Sequence, residues 1–174
     1  RSLDQRYFLE QRKGGFFIEA GAADGGEVTS ATWHFEKQHG WSGLLVEPLP
    51  SLYQQLVSKN RSSWAIQTCL STKKRPETIR FSLSGSSEET QAGILADNAT
   101  GVGEIVEMQC MPIFSLLLAL GNPTVDFLSL DIEGAEYQVL RTIPRDKVDI
   151  RALSVETQFA GDVLEGSRKD IFDL

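Results

Sequence analysis

The chain has 174 residues, 24 acidic against 17 basic, for a formal net charge of −7. At that length a single domain over 1–174 is expected, burying about 70% of the unfolded surface, and 41% hydrophobic with 24% charged residues excludes disordered and collagen-like classes. The acidic balance disfavours nucleic acid as a partner, because neutralising a phosphate backbone takes a clustered Lys/Arg surface.

Short β-branched or aromatic runs alternate with amphipathic helical runs along the chain, the pattern of a parallel sheet with crossover helices. Leu3, Tyr7 and Leu9 suggest an opening helix stopped by Gly14-Gly15. The chain starts at Arg1 without a basic, apolar leader, so a fragment of a longer protein is expected. Phe16 to Ala20 reads as a buried first strand, followed at once by the glycine-rich turn Gly21 to Gly26. Thr29 to Gln38 predicts a helix closed by Gly40, and Gly43 to Glu47 a second strand ended by Pro48 and Pro50. Ser51 is the expected N-cap of a helix carrying Leu52, Leu56 and Val57.

Trp64 to Leu70 predicts a third strand and Thr78 to Leu83 an added one. Ser84 to Gly103, rich in Gly, Ser, Asn and acid, is the best candidate for a mobile loop or lid. Glu104 to Met111 alternates as a half-buried strand, and Pro112 leads into a short helix ending at Gly121. Its apolar run, Ile113 to Leu120, falls well short of the roughly 20 residues that cross a bilayer. Val125 to Asp131 is strand four, Gly134 to about Thr142 a helix, and Ala152 to Glu156 strand five. Cys69 and Cys110 lack a C-x-x-C spacing, so two buried free thiols are expected.

Three strands end in a carboxylate: Glu19, Glu47 and Asp131. In doubly wound sheets ligands bind outside the C-terminal strand ends where strand order reverses. The turn Gly21-Ala22-Ala23-Asp24-Gly25-Gly26 spaces its glycines as G-x-x-x-G, unlike the dinucleotide fingerprint, which disfavours a dinucleotide-dependent oxidoreductase. Glu19 beside that turn would repel a pyrophosphate, so a cationic or zwitterionic ligand fits better. His34 and His39 are five residues apart and, at about 100° per residue, fall on different helical faces, so they are not expected to pair as ligands. No metal site is expected, and Ser129 and Ser154 lack a Ser-His-acid order for hydrolysis.

Phe17 to Gly25 resembles motif I of the class I S-adenosylmethionine-dependent methyltransferases, and Val125 to Leu140, with Asp131-Ile132-Glu133-Gly134-Ala135-Glu136, resembles the signature of the FkbM family. Gly43 to Pro48 is similar to the same family. Phe35-Glu36-Lys37, Trp41-Ser42-Gly43, Asn60-Arg61 and Cys69-Leu70-Ser71 look closest to its animal branch, which includes the arthropod Star protein. The resemblance implies an α/β fold, a Rossmann-like class I methyltransferase sheet with helices on both faces. Such a sheet has seven strands, but only 18 residues follow Glu156, so the last two strands are expected to be missing.

The resemblance further implies S-adenosyl-L-methionine as cofactor, its methionine part held by Glu19 and amides around Gly21, with Ala22, Asp24 and Gly25 in the binding turn. Glu47, fixed by Pro48, would take the ribose hydroxyls through two oxygens. Asp131 would sit beside the cofactor, and Asp131 with Glu133 would align the acceptor and take its proton in an in-line methyl transfer. For Glu133 and Glu136 the alternative is complementing a helix dipole, about 0.3–1 kcal/mol each.

Function then divides two ways. One reading is O-methylation of a hydroxyl on a small-molecule, sugar or lipid-linked acceptor, in the cytoplasm. The other, implied by the Star branch, is a module without turnover that traffics a secreted growth-factor precursor through the endoplasmic reticulum and Golgi.

Overall fold

The structure, a computed structural model, describes residues 13–84, 91–94, 104–156 and 170–171; the expected opening helix lies outside them. In chain order the elements are β1 (Phe16–Ala20), α1 (Trp33–His39), β2 (Ser42–Val46), α2 (Pro50–Ser58), β3 (Trp64–Ile66), β4 (Cys69–Leu70), β5 (Glu77–Ser84), β6 (Gln91–Ile94), β7 (Glu104–Met111), α3 (Ile113–Ala119), β8 (Phe127–Leu130), α4 (Glu136–Thr142) and β9 (Leu153–Val155).

Five of the strands form one parallel sheet in the order β3-β2-β1-β8-β9. The chain winds outward from β1 to β3, then returns to lay β8 on the other side of β1, so the order reverses between β1 and β8. Side-chain alternation splits the core between the two faces. Phe17 and Leu45 pack with Phe35 of α1, Trp41 and Leu56 of α2, whereas Ile18, Leu44 and Leu128 pack with Leu117 of α3 and Val139 of α4. Helices therefore cover both faces, as a Rossmann-like methyltransferase sheet requires. Phe17, Ile18, Leu45 and Leu128 are 0% exposed, each contributing roughly 1.5–3 kcal/mol by leaving water.

The excursion between β3 and α3 builds a second, mixed sheet in the order β4-β7-β5-β6. Its β5 and β7 pair antiparallel from Glu77↔Cys110 to Leu83↔Glu104, while β4 joins β7 in parallel.

Several sequence expectations are corrected. Trp64 to Leu70 is not one strand: β3 pairs with β2, and β4 leaves for the second sheet. Cys69 and Cys110 are not free thiols; they stand opposite each other in that ladder and form a disulfide. A separation of 41 residues hid this pairing, because nothing local brings the two together.

The helix expected from Thr29 starts at Trp33, since Ser30, Ala31 and Thr32 turn inward to hydrogen-bond Glu19. Ser51 is not an N-cap; Pro50 opens α2 and Leu49 takes the cap position with extended backbone. Within the expected loop Ser84 to Gly103, Gln91–Ile94 is a strand paired with β5, and residues 85–90 and 95–103 lie outside the description. The side chains of His34 and His39 do meet, with Nε2 atoms 3.1 Å apart, although both lie within α1. Among the described residues no cluster of metal-ligand type is present, and no helix is long and apolar enough to cross a membrane.

Candidate active site

The register sets Ala20 level with Val46 on one side and Leu130 on the other, so β1, β2 and β8 end at one height. A cavity of about 190 Å³ opens there. Gly21, Glu47 and Asp131, each the first residue past its strand, line it.

The turn after β1 is bent tightly over the sheet. Gly21 has φ 79°, and a Cβ there would overlap the Asp131 carbonyl oxygen. The amides of Gly21 and Ala22 both donate to the Val46 carbonyl, at 3.0 and 3.1 Å, so they lace the turn to β2. Ala23 lines the cavity in a left-handed conformation, φ 48°, uncommon for a residue with a Cβ and frequent near functional sites.

Glu47 is 3% exposed. Its Oε2 accepts from Ala23 N and its Oε1 from Leu49 N, both at 2.9 Å. Each oxygen has a second lone pair left for a further donor. Burial outweighs these two hydrogen bonds and pushes the carboxyl up to about 7. The same cavity has an apolar lining that includes Leu49, Leu52, Leu70 and Phe81.

Beyond β8 the chain turns through Glu133, φ 58°, and Gly134, φ 98°. That left-handed pair delays the start of α4 to Glu136 and leaves Asp131 and Glu133 on the cavity wall. Burial, Asp131 and Glu136 all raise the Glu133 carboxyl. Glu136 is 2% exposed and accepts from Ile132 N (2.9 Å) and Gly134 N (3.3 Å), which pins the loop. At the end of β9, Glu156 hydrogen-bonds Asp131. That bond, burial and the negative charges of Asp131, Glu133 and Glu136 push it up to about 7. Its place is set by the backbone, where Glu156 N donates to the Leu130 carbonyl at 2.9 Å.

A family model for the FkbM methyltransferase domain matches residues 19–168. The chain belongs to that family. No curated protein and no solved structure matches it.

In this FkbM domain the cavity gathers Gly21, Glu47, Pro48, Asp131 and Glu133 of the residues anticipated from sequence. Four others stand elsewhere. Glu19 points to the opposite face from Ala20, where its carboxylate accepts from Ser30 Oγ and Ala31 N at 2.7 Å and from Thr32 Oγ1. Burial raises its pKa against those bonds. Ala22 is fully buried in the core under α1. Asp24 is bound by Thr29 Oγ1, by Gly26 N at 3.1 Å and by Lys59 at 3.1 Å. Gly25 makes room for Leu56, whose Cδ1 would overlap a Cβ there. Period-two alternation could have separated Glu19 from Ala20 in advance.

Beneath the turn, Arg61 bonds Glu36 (3.0 Å), Ser30 (2.8 Å), Thr32 (3.0 Å) and the Gly25 carbonyl (3.3 Å). Burial opposes the Glu36 charge, but bonds from Ser63, Ser62 N and Arg61 hold its carboxyl below the ordinary range. Sequence reading also missed Thr68, Cys69, Leu70 and Phe81 on the cavity wall, and Glu156 beside Asp131. A carboxylate ending strand five was the available signal for Glu156.

Proposed function

We propose that this FkbM domain, one domain across 1–174, binds S-adenosylmethionine and methylates a hydroxyl of a small-molecule, sugar or lipid-linked acceptor. The observation carrying this reading is Glu47: a buried carboxylate at the end of β2 whose two oxygens keep lone pairs beside the cavity. A carboxylate so placed suits the paired hydroxyls of a ribose, and the apolar lining of Leu49, Leu52, Leu70 and Phe81 suits a nucleobase. The described lining holds three carboxylates, Glu47, Asp131 and Glu133, and no Lys or Arg, which favours a cation over a pyrophosphate.

Bound there, S-adenosylmethionine supplies an electrophilic methyl group on a sulfonium. The residues around it supply position and a proton acceptor. Asp131, which lines the cavity with Glu133, would accept the acceptor's hydroxyl proton. Glu156, sharing a hydrogen bond with Asp131, holds that side chain in place. Asp131→Asn should lower the rate more than it lowers cofactor affinity.

Calorimetric titration with S-adenosylmethionine and S-adenosylhomocysteine tests the reading, with micromolar binding expected. Absence of binding by both at millimolar concentration would discard it. A second reading, a Star-like module that traffics growth-factor precursors in the secretory pathway, draws support from the Cys69–Cys110 disulfide, since such bonds persist in oxidising compartments. That reading expects no loss of partner binding in Glu47→Ala or Asp131→Asn.

A further inference from the structure

We propose that the Cys69–Cys110 disulfide is a working part of the cofactor site: it holds one wall of the cavity in place, and reducing it weakens cofactor binding. The inference rests on the reading of this cavity as the cofactor site.

The wall concerned is β4, only two residues long, and both Cys69 and Leu70 line the cavity. Thr68, just before it, lines the cavity too. Although β4 follows β3 almost directly, it has left the sheet that carries Glu47 and Asp131, and among the described residues it pairs only with β7, through Cys69↔Cys110 and Leu70↔Met111. Its other anchors to that strand are Thr68 Oγ1 to the Gln109 carbonyl, 2.7 Å, and Ser71 N to the Met111 carbonyl, 2.9 Å. So short a ladder is a weak hold by itself.

The disulfide converts it into a fixed one. It joins the two ends of the excursion that carries β5, and β5 brings Phe81 to the same cavity wall. Cys69, Cys110, Leu70 and Phe81 form one buried cluster. A preformed wall spares the ligand the cost of ordering it, and affinity is kept accordingly. Cys110 itself is wholly buried and does not line the cavity, so its contribution to the site runs through the bond to Cys69.

Reduction is a two-electron step. A small dithiol gives two electrons and two protons to the pair, the sulfur–sulfur bond breaks, two thiols form, and the dithiol leaves as a cyclic disulfide.

The test is calorimetric titration of S-adenosylhomocysteine into the oxidised chain, into the same chain after dithiothreitol, and into Cys110→Ser, with free thiols counted and far-UV dichroism recorded. Binding should weaken about tenfold or more in the two forms lacking the bond, with secondary structure kept, and return on reoxidation of the native chain. Equal affinity with two free thiols counted would overturn the proposal. So would a loss seen only in Cys110→Ser, which would belong to the substitution, or a loss that comes with unfolding, which would make the bond a general staple. Should the chain resist dithiothreitol, Cys69→Ala/Cys110→Ala is titrated beside Cys110→Ser: weakening in both with secondary structure kept supports the proposal, and unchanged affinity in the double variant overturns it. Failure of the oxidised chain to bind at all would overturn the cofactor reading instead.

Discussion

Gly21 sits directly against the carbonyl oxygen of Asp131, with no room between them for a methyl group. The contact joins the turn after β1 to the loop after β8, and it explains why glycine stands first in that turn: φ is 79° and the space is already filled. The glycine serves the approach of two pieces of backbone rather than the approach of a ligand.

Gly21→Ala should therefore cost more than backbone conformation alone. Gly14 is the control, since it also has positive φ, 70°, with nothing near a Cβ, and Gly14→Ala should cost about 1–2 kcal/mol. For Gly21→Ala the expected loss is about 3 kcal/mol or more, with cofactor binding lost as well. Urea denaturation of both variants beside the parent checks the ordering. Equal losses would show that the overlap relaxes freely.

Cofactor affinity should depend on pH through Glu47. Hydroxyl donors need the ionised carboxylate, and burial lifts that group to about 7. Affinity should rise by about tenfold between pH 6 and pH 8, following the ionised fraction of a group of that pKa. Glu47→Gln should weaken binding by about 1.5–3 kcal/mol and flatten the curve. A curve that keeps its slope in the variant would assign the dependence to another group.

Stability should run the other way. Glu47 and Glu156, ordinarily near 4.5, are both pushed up to about 7 in the folded chain, and Glu19 and Glu133 are raised as well. Between those values the folded chain holds protons that the unfolded chain has released. Stability from Glu47 and Glu156 is therefore fully present below about 4.5 and is lost as pH rises through about 7, and Glu19 and Glu133 act in the same direction. Denaturant midpoints measured across pH 5 to 8 should fall, and Glu156→Gln should make the fall shallower.

Arg61 and Glu36 form an ion pair whose side chains are 2% and 1% exposed. Removing one partner leaves a buried charge with only a weaker counter-ion, Lys37 at 3.6 Å for Glu36 and Glu19 for Arg61, so Arg61→Met and Glu36→Gln should each cost about 3 kcal/mol. The double variant should cost clearly less than the sum. Additive losses would mean that the two groups act separately, with Arg61 serving Ser30, Thr32 and Gly25 alone.

The parallel α/β class, the place of β1, β2 and β8, and Gly21, Glu47 and Asp131 beside one cavity were legible in the sequence. Each rests on a local signal: an apolar run of strand length, a helical period between runs, and a carboxylate set directly past a strand. A strand end fixes where the next residue stands, so the first residue past β1, β2 and β8 was bound to meet its counterparts once the sheet order reversed beside β1. Glu19 lay one residue inside its strand, and alternation sent it to the other face, into the network of Ser30, Thr32 and Arg61.

What tertiary structure alone decided are the contacts between segments distant in sequence. Cys69 and Cys110 are 41 residues apart and pair because β4 leaves the first sheet for the second, a choice made by packing against β7 and unmarked in the local sequence. Phe81 reaches the cavity only through that second sheet, and Glu156 reaches Asp131 only because β9 lies in register with β8. Local sequence sets backbone conformation and which face a side chain takes, since those depend on sterics within a few residues. Which strand neighbours which depends on how the whole core closes, and that arrangement put the disulfide against the cavity and the second carboxylate beside Asp131.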